Sequence, residues 1–326
     1  KELNDVCVDI SYRTNTHSTY YDDKRSFMDV VFFKLKIPLD KEKHNDRIIS
    51  LCKEHSYDYV FIVKGNHIKP STLKKIKQTN KQVKIISWTQ DDMYAWHNRT
   101  FYYSRGLKYY DLVVTQKSYN CKSDELPSLG AKKILFQNKS YLPKIHKPHN
   151  DSLKKEFKHD VLFIGSAELE RFRSMNFLAK NGITVNIYGS GWDKNYFKKN
   201  AHKNLIFNFK NLINEEYANA ISCSKISLCF LRKKNRDLQT SRTIEIPACG
   251  GFMLAEKTNE QMQLFKEGIE AEYFDSNNEL MEKIKFYLQN DNKRLEIANK
   301  GLLRCKLSDY SYQNRAKEII KYLKII

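Results

Sequence analysis

Two carboxylates and an arginine lie close together in the C-terminal half of the sequence. Asp237 and Glu245 are eight positions apart, Arg242 lies between them, and a turn at residues 247–251 leads into a short apolar run. A carboxylate at the start of a helix can accept hydrogen bonds from sugar hydroxyls, and N–H groups at a helix N-terminus or a glycine turn can bind phosphate. The segment predicts a site for a polar ligand, although a capped helix with solvated charges fits the same residues.

Other candidate ligand-binding residues follow the apolar runs of this half of the chain. In an open α/β sheet, ligands bind beyond the carboxyl ends of the strands, so residues directly after strands are expected to face a ligand. These candidates are Gly165, Ser166, Tyr188, Gly189, Gly191, Trp192, Thr240 and Ser241. The Gly-Ser-Gly turn is common in loops, and Trp192 could either stack on a base or sugar or pack in the core.

Two arginines lie near the start of a helix that is expected from about Leu169. Arg173 is the better candidate to bind a diphosphate, whereas Arg171 could do so or could be exposed. Arginine suits this role because its guanidinium matches phosphate geometry and stays charged. A solvated helix face would use the same two residues.

The elements that must position these residues are short apolar runs that alternate with polar segments of helical length. The runs lie at residues 57–63, 83–88, 111–115 and 133–137 in the first half, and at 160–165, 184–189, 205–207, 226–231 and 252–255 in the second. Continuous rather than alternating apolar strands predict parallel sheets covered on both faces by helices. In the helix from Leu169, Phe172, Met175 and Ala179 share one face, and residues 276–279 have the form of a capping box.

The alternation repeats, so the sequence predicts two similar α/β domains. We expect the first at residues 1–150, the second at 151–305, and a C-terminal helix at 306–326 that could pack back on the first domain. Prolines and charges at 141–159 predict the connection between the domains. A strand is expected at 6–10, and because the residues before it read as the tail of a helix, an earlier strand and loop are expected to precede them.

Composition narrows the class of protein. The 326 residues are 41% hydrophobic and 13% aromatic, which is typical of globular domains. Lys and Arg outnumber Asp and Glu by 57 to 38, a net charge of +19. This excess favours an anionic partner such as nucleic acid, an anionic membrane surface or a phosphate-bearing substrate, although a solvated lysine surface would produce it too.

The same composition bears on location. No apolar run reaches the roughly 18 residues that a transmembrane helix needs. The seven cysteines are scattered, as expected of reduced thiols. We therefore expect a cytoplasmic protein, or one held peripherally at the inner face of the membrane.

Residues 160–316 resemble the C-terminal half of group 1 glycosyltransferases, especially the branch of CgeB-like spore-maturation proteins. The similarity is carried by residues 160–165 with Arg173, 188–192, 241–250, Phe265 with Gly268, Tyr273 with Phe274, and Glu279 with Leu280. Residues 1–150 match less closely, through Trp88 with Asp91 and Asp92, residues 110–114, and Gly130 with Ala131.

The resemblance implies a GT-B fold, in which two Rossmann-like domains face a central cleft and the C-terminal domain binds a nucleotide-sugar. Related enzymes carry two glutamates separated by seven residues. By that correspondence Asp237 would contact the donor sugar and Glu245 the ribose, with an aspartate in place of the first glutamate. A Lys-Gly pair after Gly165 is missing, so Arg173 would serve as the cation for the diphosphate.

Glycosyl transfer requires stabilisation of the charge that develops on the leaving diphosphate. Arginines and helix N-termini can supply this stabilisation without a metal, and the nine histidines are dispersed. We therefore expect metal-independent transfer with no cofactor besides the nucleotide-sugar substrate. The resemblance suggests retention of configuration. Were the reaction inverting, Asp91 or Asp92 would be the general base, unless they only cap a helix.

The expected acceptor is a saccharide or lipid-linked molecule of the cell surface, as in polysaccharide biosynthesis. The strong positive charge keeps two alternatives open. One is a glycosyltransferase that modifies bases of DNA, and the other is a non-catalytic nucleic-acid-binding protein.

Overall fold

The computed structural model describes residues 8–9, 27–149 and 157–325, so most of the strand expected at 6–10 lies outside the described residues. The chain forms two compact units, Lys1–Gln137 and Asn138–Ile326, rather than dividing after residue 150. The second unit begins before residue 151 because Tyr141 pairs with the C-terminal region. Its N–H donates to the carbonyl of Tyr310, and its carbonyl accepts from the N–H of Tyr312, both at 3.1 Å.

The first unit is an α/β domain whose described sheet has four parallel strands in the order β1-β2-β3-β4. Its elements are α1 (Phe27–Lys34), α2 (His44–Glu54), β1 (Tyr59–Val63), α3 (Pro70–Thr79), β2 (Lys84–Thr89), α4 (Phe101–Gly106), β3 (Leu112–Thr115) and β4 (Ile134–Phe136). The four strands lie where the apolar runs predicted them. β3 is buried throughout, as expected of a central strand covered on both faces.

The second unit contains a six-stranded parallel sheet in the order β10-β9-β8-β5-β6-β7. Its elements are β5 (Val161–Ile164), α5 (Leu169–Lys180), β6 (Val185–Tyr188), α6 (Asn195–Asn200), β7 (Leu205–Phe207), α7 (Asn214–Cys223), β8 (Ile226–Cys229), α8 (Ser241–Ala248), β9 (Met253–Glu256), α9 (Asn259–Leu264), β10 (Glu272–Phe274), α10 (Asn277–Gln289), α11 (Asp291–Leu307) and α12 (Tyr312–Leu323). The five strands predicted in this half are present, and β10 adds a sixth. Ser276 caps α10 by accepting the N–H of Glu279, as predicted.

The core of the second unit lies on both faces of its sheet. Val161 and Phe163 of β5 pack into one apolar cluster with α5, whereas Leu162 and Ile164 pack into the opposite cluster with α7 and α8. Successive side chains of a strand point to opposite faces, so a strand that is apolar at every position needs helices on both sides. The prediction of a sheet covered on both faces is confirmed.

The order of the strands reverses at β5. From β5 the chain continues to β6 and β7 on one side, and then crosses to β8, β9 and β10 on the other. Loops that leave β5 and β8 at their carboxyl ends therefore run in opposite directions and leave a crevice, which is where open α/β sheets bind ligands. Within residues 8–9, 27–149 and 157–325, no helix combines the length and the hydropathy that a transmembrane segment requires.

Candidate functional site

Two glycines bring the loops after β5 and β6 into close contact. The N–H of Gly165 donates to the carbonyl of Tyr188 at 2.9 Å. Gly189 has φ +123°, and a Cβ atom there would lie 2.3 Å from the carbonyl oxygen of Gly165. Since atoms cannot approach so closely, a side chain at position 189 would push the loops apart. At Gly165 a Cβ would also be crowded, 2.8 Å from Phe163 and 3.1 Å from Nη1 of Arg242.

Arg171 and Arg242, here called the arginine pair, lie at the carboxyl ends of β5 and β8. Nη1 of Arg171 donates to the carbonyl of Ser166 at 3.1 Å. Arg242 donates to the carbonyls of Ile164 and Phe230 at 3.2 and 3.3 Å, and so joins the ends of the two strands. The arginine pair thus lies at the crevice where the strand order reverses.

The two guanidinium groups carry their charges in a partly dehydrated environment. Their central carbons lie 5.7 and 5.5 Å from the ring centre of Phe163, on which both pack. Burial lowers the pKa of Arg171 to about 10, and repulsion from Arg242 adds to this effect. The carboxylates of Glu168 and Asp237 act in the opposite direction. The pKa of Arg171 stays lowered in spite of them, so these carboxylates offset only part of the cost of burying its charge.

The arginine pair also retains unused hydrogen-bonding capacity. Within the described residues, the Nε atoms of Arg171 and Arg242 are buried and have no hydrogen-bond partner. Glu168, whose carboxylate is 3.9 Å from Nε of Arg171, instead accepts a 2.7 Å hydrogen bond from Nε of Arg232. Two dehydrated cations with incomplete partners would be stabilised by an anion that binds between the strand ends.

The N-terminus of α8 is held by its own polar residues. The backbone N–H of Thr240 donates to Oγ1 of Thr243 at 3.0 Å, and that hydroxyl donates to Oε1 of Gln261 at 2.7 Å. Thr240 is buried, so it supports the helix start. Ser241, the first residue of the helix, is partly exposed and is the better placed of the two to contact a ligand.

Glu245 lies one helical turn after Arg242 and is held by two residues that sequence reasoning missed. Its Oε2 accepts a 2.8 Å hydrogen bond from the hydroxyl of Tyr217, and its Oε1 lies 3.9 Å from Nε2 of His146. Nδ1 of His146 accepts from the N–H of Leu142 at 3.1 Å, which places the proton of the neutral ring on Nε2, facing Glu245. Burial lowers the pKa of His146 and favours this neutral form.

Asp237 lies in the loop between β8 and α8, where the sequence predicted it. Its carboxylate is partly buried and accepts a 2.8 Å hydrogen bond from the side-chain amide of Asn235. Its charge acts on Arg171, which places it in the same electrostatic environment as the arginine pair. The structure thus brings Asp237, Arg242, Gly165 and Ser166 together at one end of the sheet.

Trp192 and Tyr188 differ from their predicted role as ligand contacts. The Trp192 ring is 1% exposed, and its Nε1–H donates to the carbonyl of Gly165 at 2.8 Å. It packs on three phenylalanines, Phe163, Phe197 and Phe207. Tyr188 is buried, with its hydroxyl 3.0 Å from Nε2 of His159. Both residues support the loops, together with Gly191 at φ +83°, rather than presenting a ring to a ligand.

The structure also reverses the preference between the two arginines of α5. Arg173 is exposed, whereas Arg171 is buried beside Gly165 and Ser166. The physical reason is the phase of the helix, because residues two positions apart point to nearly opposite sides. Arg171 shares its side with the buried Met175, so the inward cation is Arg171 and not Arg173.

Asp91 and Asp92 lie in the first unit, in a turn after β2. Asp92 is fully buried and accepts hydrogen bonds from the N–H groups of Tyr94 and Ala95 and from the amide of Asn120. Asp91 forms a 2.7 Å ion pair with Lys64. The turn is not a helix, so Asp92 fixes a turn instead of capping a helix, and its burial fits poorly with a general base.

The part of the chain that the structure describes contains no group of three or more His, Cys, Asp and Glu side chains arranged to hold a metal ion. Besides the arginine pair, Arg232 and Lys233 lie at the crevice, and Lys233 is 3.4 Å from Glu256.

Comparison with known proteins shows what this chain is similar to. Residues 171–321 match a family described as "Glycosyl transferase-like". The Anabaena protein Alr3699/HepE in complex with UDP and glucose is similar in structure, with a TM-score of 0.62, 12% sequence identity, and coverage of 87% of this chain and 81% of that chain. Sucrose-phosphate synthase of Thermosynechococcus elongatus has a TM-score of 0.57 and 11% identity, and the match covers 88% of this chain and 80% of that chain. A variant of S. aureus TarM in complex with Fondaparinux, alpha-GlcNAc-glycerol and UDP has a TM-score of 0.58 and 12% identity, and the match covers 85% of this chain and 58% of that chain. No curated protein sequence matches the chain.

The fold is therefore the GT-B fold of glycosyltransferases, as the resemblance implied. The family match covers most of the second unit, from Arg171 in α5 through α8 and Glu245. It supports the general resemblance to glycosyltransferases, whereas the narrower resemblance to CgeB-like proteins stays a prediction.

Proposed function

We propose that this protein is a glycosyltransferase that moves a sugar from a nucleotide donor to an acceptor. The observation that carries the proposal is the arginine pair at the point where the strand order of the second unit reverses. Arg171 and Arg242 are partly dehydrated, incompletely neutralised and adjacent to a close approach of two glycine loops. That arrangement suits a diphosphate, whose oxygens accept several charge-assisted hydrogen bonds.

The proposed roles follow from position. Arg171 and Arg242 bind the diphosphate and stabilise the charge that grows on it as the glycosidic bond to the donor breaks. Glu245, held by Tyr217, accepts hydrogen bonds from the ribose hydroxyls. Asp237, at the same strand end, contacts the donor sugar. Since guanidinium groups provide the positive charge, we propose transfer without a metal, and with retention of configuration.

Uridine diphosphate is the first nucleotide to test. The Anabaena protein is described in complexes with UDP and with UDP-glucose, and the TarM variant in a complex with UDP. For the acceptor we propose a cell-surface saccharide or lipid-linked saccharide in a polysaccharide pathway. A net charge of +19 would favour acceptors or membrane surfaces of negative charge.

Thermal unfolding in the presence of UDP, GDP, CMP and dTDP tests the donor site. A ligand that binds only the native state at 100 times its dissociation constant stabilises that state by about 2.7 kcal/mol. We expect UDP to raise the melting temperature and uridine, which lacks the diphosphate, to raise it much less. The absence of any shift with all four nucleotides would overturn the proposal.

The alternative that DNA is the acceptor, or the sole ligand, rests on the positive charge alone. It predicts duplex binding that persists at physiological salt and depends on base modification. Gel shifts across a salt series measure this, and complexes that dissociate at modest ionic strength without any base preference would indicate charge attraction only.

A further inference from the structure

A second cation with incomplete partners lies in the first unit, outside the site described above. The guanidinium carbon of Arg99 is 5.5 Å from the ring centre of Tyr94 and 5.4 Å from that of Trp96. Nε and Nη1 of Arg99 are buried and, within the described residues, donate to no hydrogen-bond acceptor. Burial lowers the pKa of Arg99, and the charge of Asp92 acts in the opposite direction without restoring the ordinary value, so this arginine has lost hydration that its neighbours do not fully replace.

The segment that carries Arg99, residues 92–100, is held firmly at both ends. At its start the buried carboxylate of Asp92 accepts the N–H groups of Tyr94 and Ala95. At its end the hydroxyl of Thr100 donates to the carbonyl of Asn66 at 2.7 Å, and the N–H of Thr100 donates to the Asn66 side chain. The segment is therefore a preorganised turn, which we call the Arg99 turn.

An exposed aromatic ring and a second cation lie beside Arg99. Trp96 is 58% exposed, which is unusual for a side chain of this size. Nζ of Lys36 is 6.0 Å from the Trp96 ring centre and donates to the carbonyl of His97 at 3.2 Å. Two positive groups thus flank one exposed indole.

We propose that the Arg99 turn binds a saccharide that carries a phosphate or carboxylate group. Arg99 binds the anionic group, Lys36 adds positive charge, and the exposed face of Trp96 covers apolar surface of the sugar ring. A single pair of cations around one indole fits one anionic group better than the repeated charges of a polynucleotide, which require a longer basic track.

This inference rests on the proposed function in one respect, because it assigns the bound saccharide as the acceptor. It deepens that function by naming the acceptor class as an acidic saccharide. It also gives Asp92 a role, since Asp92 anchors the turn that presents Arg99 and Trp96.

The test is a binding titration with glucose 6-phosphate, glucuronic acid, glucose and inorganic phosphate, each in the presence of saturating UDP. Tryptophan fluorescence and calorimetry report binding. We expect the two acidic sugars to bind, glucose to bind at least roughly tenfold more weakly, and inorganic phosphate to bind more weakly than glucose 6-phosphate. The ranking of glucose 6-phosphate against glucuronic acid distinguishes a phosphate from a carboxylate ligand.

Variants locate the site. Arg99→Gln should weaken glucose 6-phosphate binding by roughly tenfold or more, because a charge-assisted hydrogen bond is lost. Trp96→Leu, at an exposed position, should weaken sugar phosphate binding and leave inorganic phosphate binding unchanged. Arg105→Gln is the matched control, since Arg105 is an exposed arginine that contacts Phe101 at 4.7 Å in the same unit. It should change neither affinity.

Several outcomes overturn the inference. The first is that wild type and Arg99→Gln bind glucose 6-phosphate with equal affinity. The second is that the wild-type protein binds glucose and glucose 6-phosphate with equal affinity. The third is that an oligothymidylate binds through Arg99 while the acidic sugars do not bind. Failure of the donor proposal is separate. If UDP has no effect on melting but acidic sugars bind through Arg99, the saccharide site stands without the transferase activity.

Discussion

Replacing Arg171 by methionine should raise the stability of the second unit and at the same time weaken its binding of UDP. The side chain of Arg171 is 4% exposed, and Met is an unbranched, apolar residue of similar length and helix propensity. A buried charge replaced by an apolar group of similar shape often increases stability, whereas a ligand that depends on that charge loses affinity. The two effects therefore have opposite signs.

The size of the stability gain follows from the pKa of Arg171. A pKa of about 10 in place of the ordinary 12.5 means that folding disfavours the charged form by about 3 kcal/mol. Loss of the hydrogen bond to the carbonyl of Ser166 offsets about 1 kcal/mol of this. We expect a net gain of about 2 kcal/mol, which corresponds to a melting temperature higher by about 4–8 °C for a unit of this size.

The affinity change is estimated from the hydrogen bonds that a guanidinium donates to a diphosphate. A charge-assisted hydrogen bond contributes about 1.5–3 kcal/mol, so the dissociation constant of UDP should rise by about 10- to 150-fold. Differential scanning fluorimetry and isothermal titration calorimetry on the same preparation measure both quantities. Arg173→Met is the control, because Arg173 is exposed on the same helix and should change both by little.

Three results would refute this reasoning. A melting temperature lowered by several degrees in Arg171→Met would show that Arg171 stabilises the fold. An unchanged dissociation constant would remove it from the diphosphate site. Weaker UDP binding in Arg173→Met, with normal binding in Arg171→Met, would restore the assignment that the sequence suggested.

Two further predictions concern carboxylates. Glu245→Gln keeps an acceptor for the hydroxyl of Tyr217 but loses the negative charge that should select a ribose. The preference for UDP over 2′-deoxy-UDP should therefore fall by about tenfold, which calorimetry with both nucleotides measures. An unchanged preference would contradict the ribose contact. The carboxylate of Glu272 is 7% exposed and lies 2.9 Å from Nζ of Lys283, so Lys283→Met leaves a buried carboxylate without its cation. The free energy of unfolding measured in urea should fall by about 2–4 kcal/mol. Lys300→Met is the control, because it breaks an exposed i,i+4 ion pair with Glu296 and should lower the free energy of unfolding by at most about 0.5 kcal/mol. Equal losses of stability in Lys283→Met and Lys300→Met would contradict the role of burial.

The fold could be predicted from the sequence because parallel strands leave a strong local signal. Each strand of a sheet covered on both faces is apolar at nearly every position, so strands such as Val161–Ile164 are visible as short runs. The position of the division between the units was harder to predict. Prolines after Tyr141 indicate a connection, but the backbone pairing of Tyr141 with Tyr310 and Tyr312 is a tertiary contact that local composition does not record.

The sequence contains a periodic pattern that distinguishes Arg171 from Arg173, although the prediction did not follow it. Phe172, Met175 and Ala179 define the buried face of α5, and Arg171 lies four positions before Met175 on that face. Helical periodicity alone therefore favours Arg171. The preference for Arg173 rested on its position near the start of the helix and on the resemblance to related enzymes, and neither takes the phase of the helix into account.

Other parts of the site left no local signal. Tyr217 lies 28 residues before Glu245 and His146 lies in the predicted connection, yet both contact the same carboxylate. Trp192 is the opposite case, because the sequence suggested a ligand contact where the structure has a core residue. An aromatic residue after a glycine turn is compatible with either role. The burial of Trp192 is decided by phenylalanines on β5, α6 and β7, which come together only in the folded sheet.

The geometry of the proposed donor site implies that, without a bound nucleotide, the second unit is less stable than its core would allow. Arg171 is dehydrated and incompletely paired, and the turn at Gly189 has a positive φ and leaves no room for a side chain, because a Cβ atom there would lie 2.3 Å from the carbonyl oxygen of Gly165. Such local costs persist at binding sites because the ligand offsets them. A diphosphate would relieve the repulsion between Arg171 and Arg242, so UDP should stabilise the second unit by more than its contacts alone suggest. Amide hydrogen exchange should then show protection by UDP concentrated at the carboxyl ends of β5 and β8 and at the start of α8. Protection confined to the first unit would place the nucleotide elsewhere.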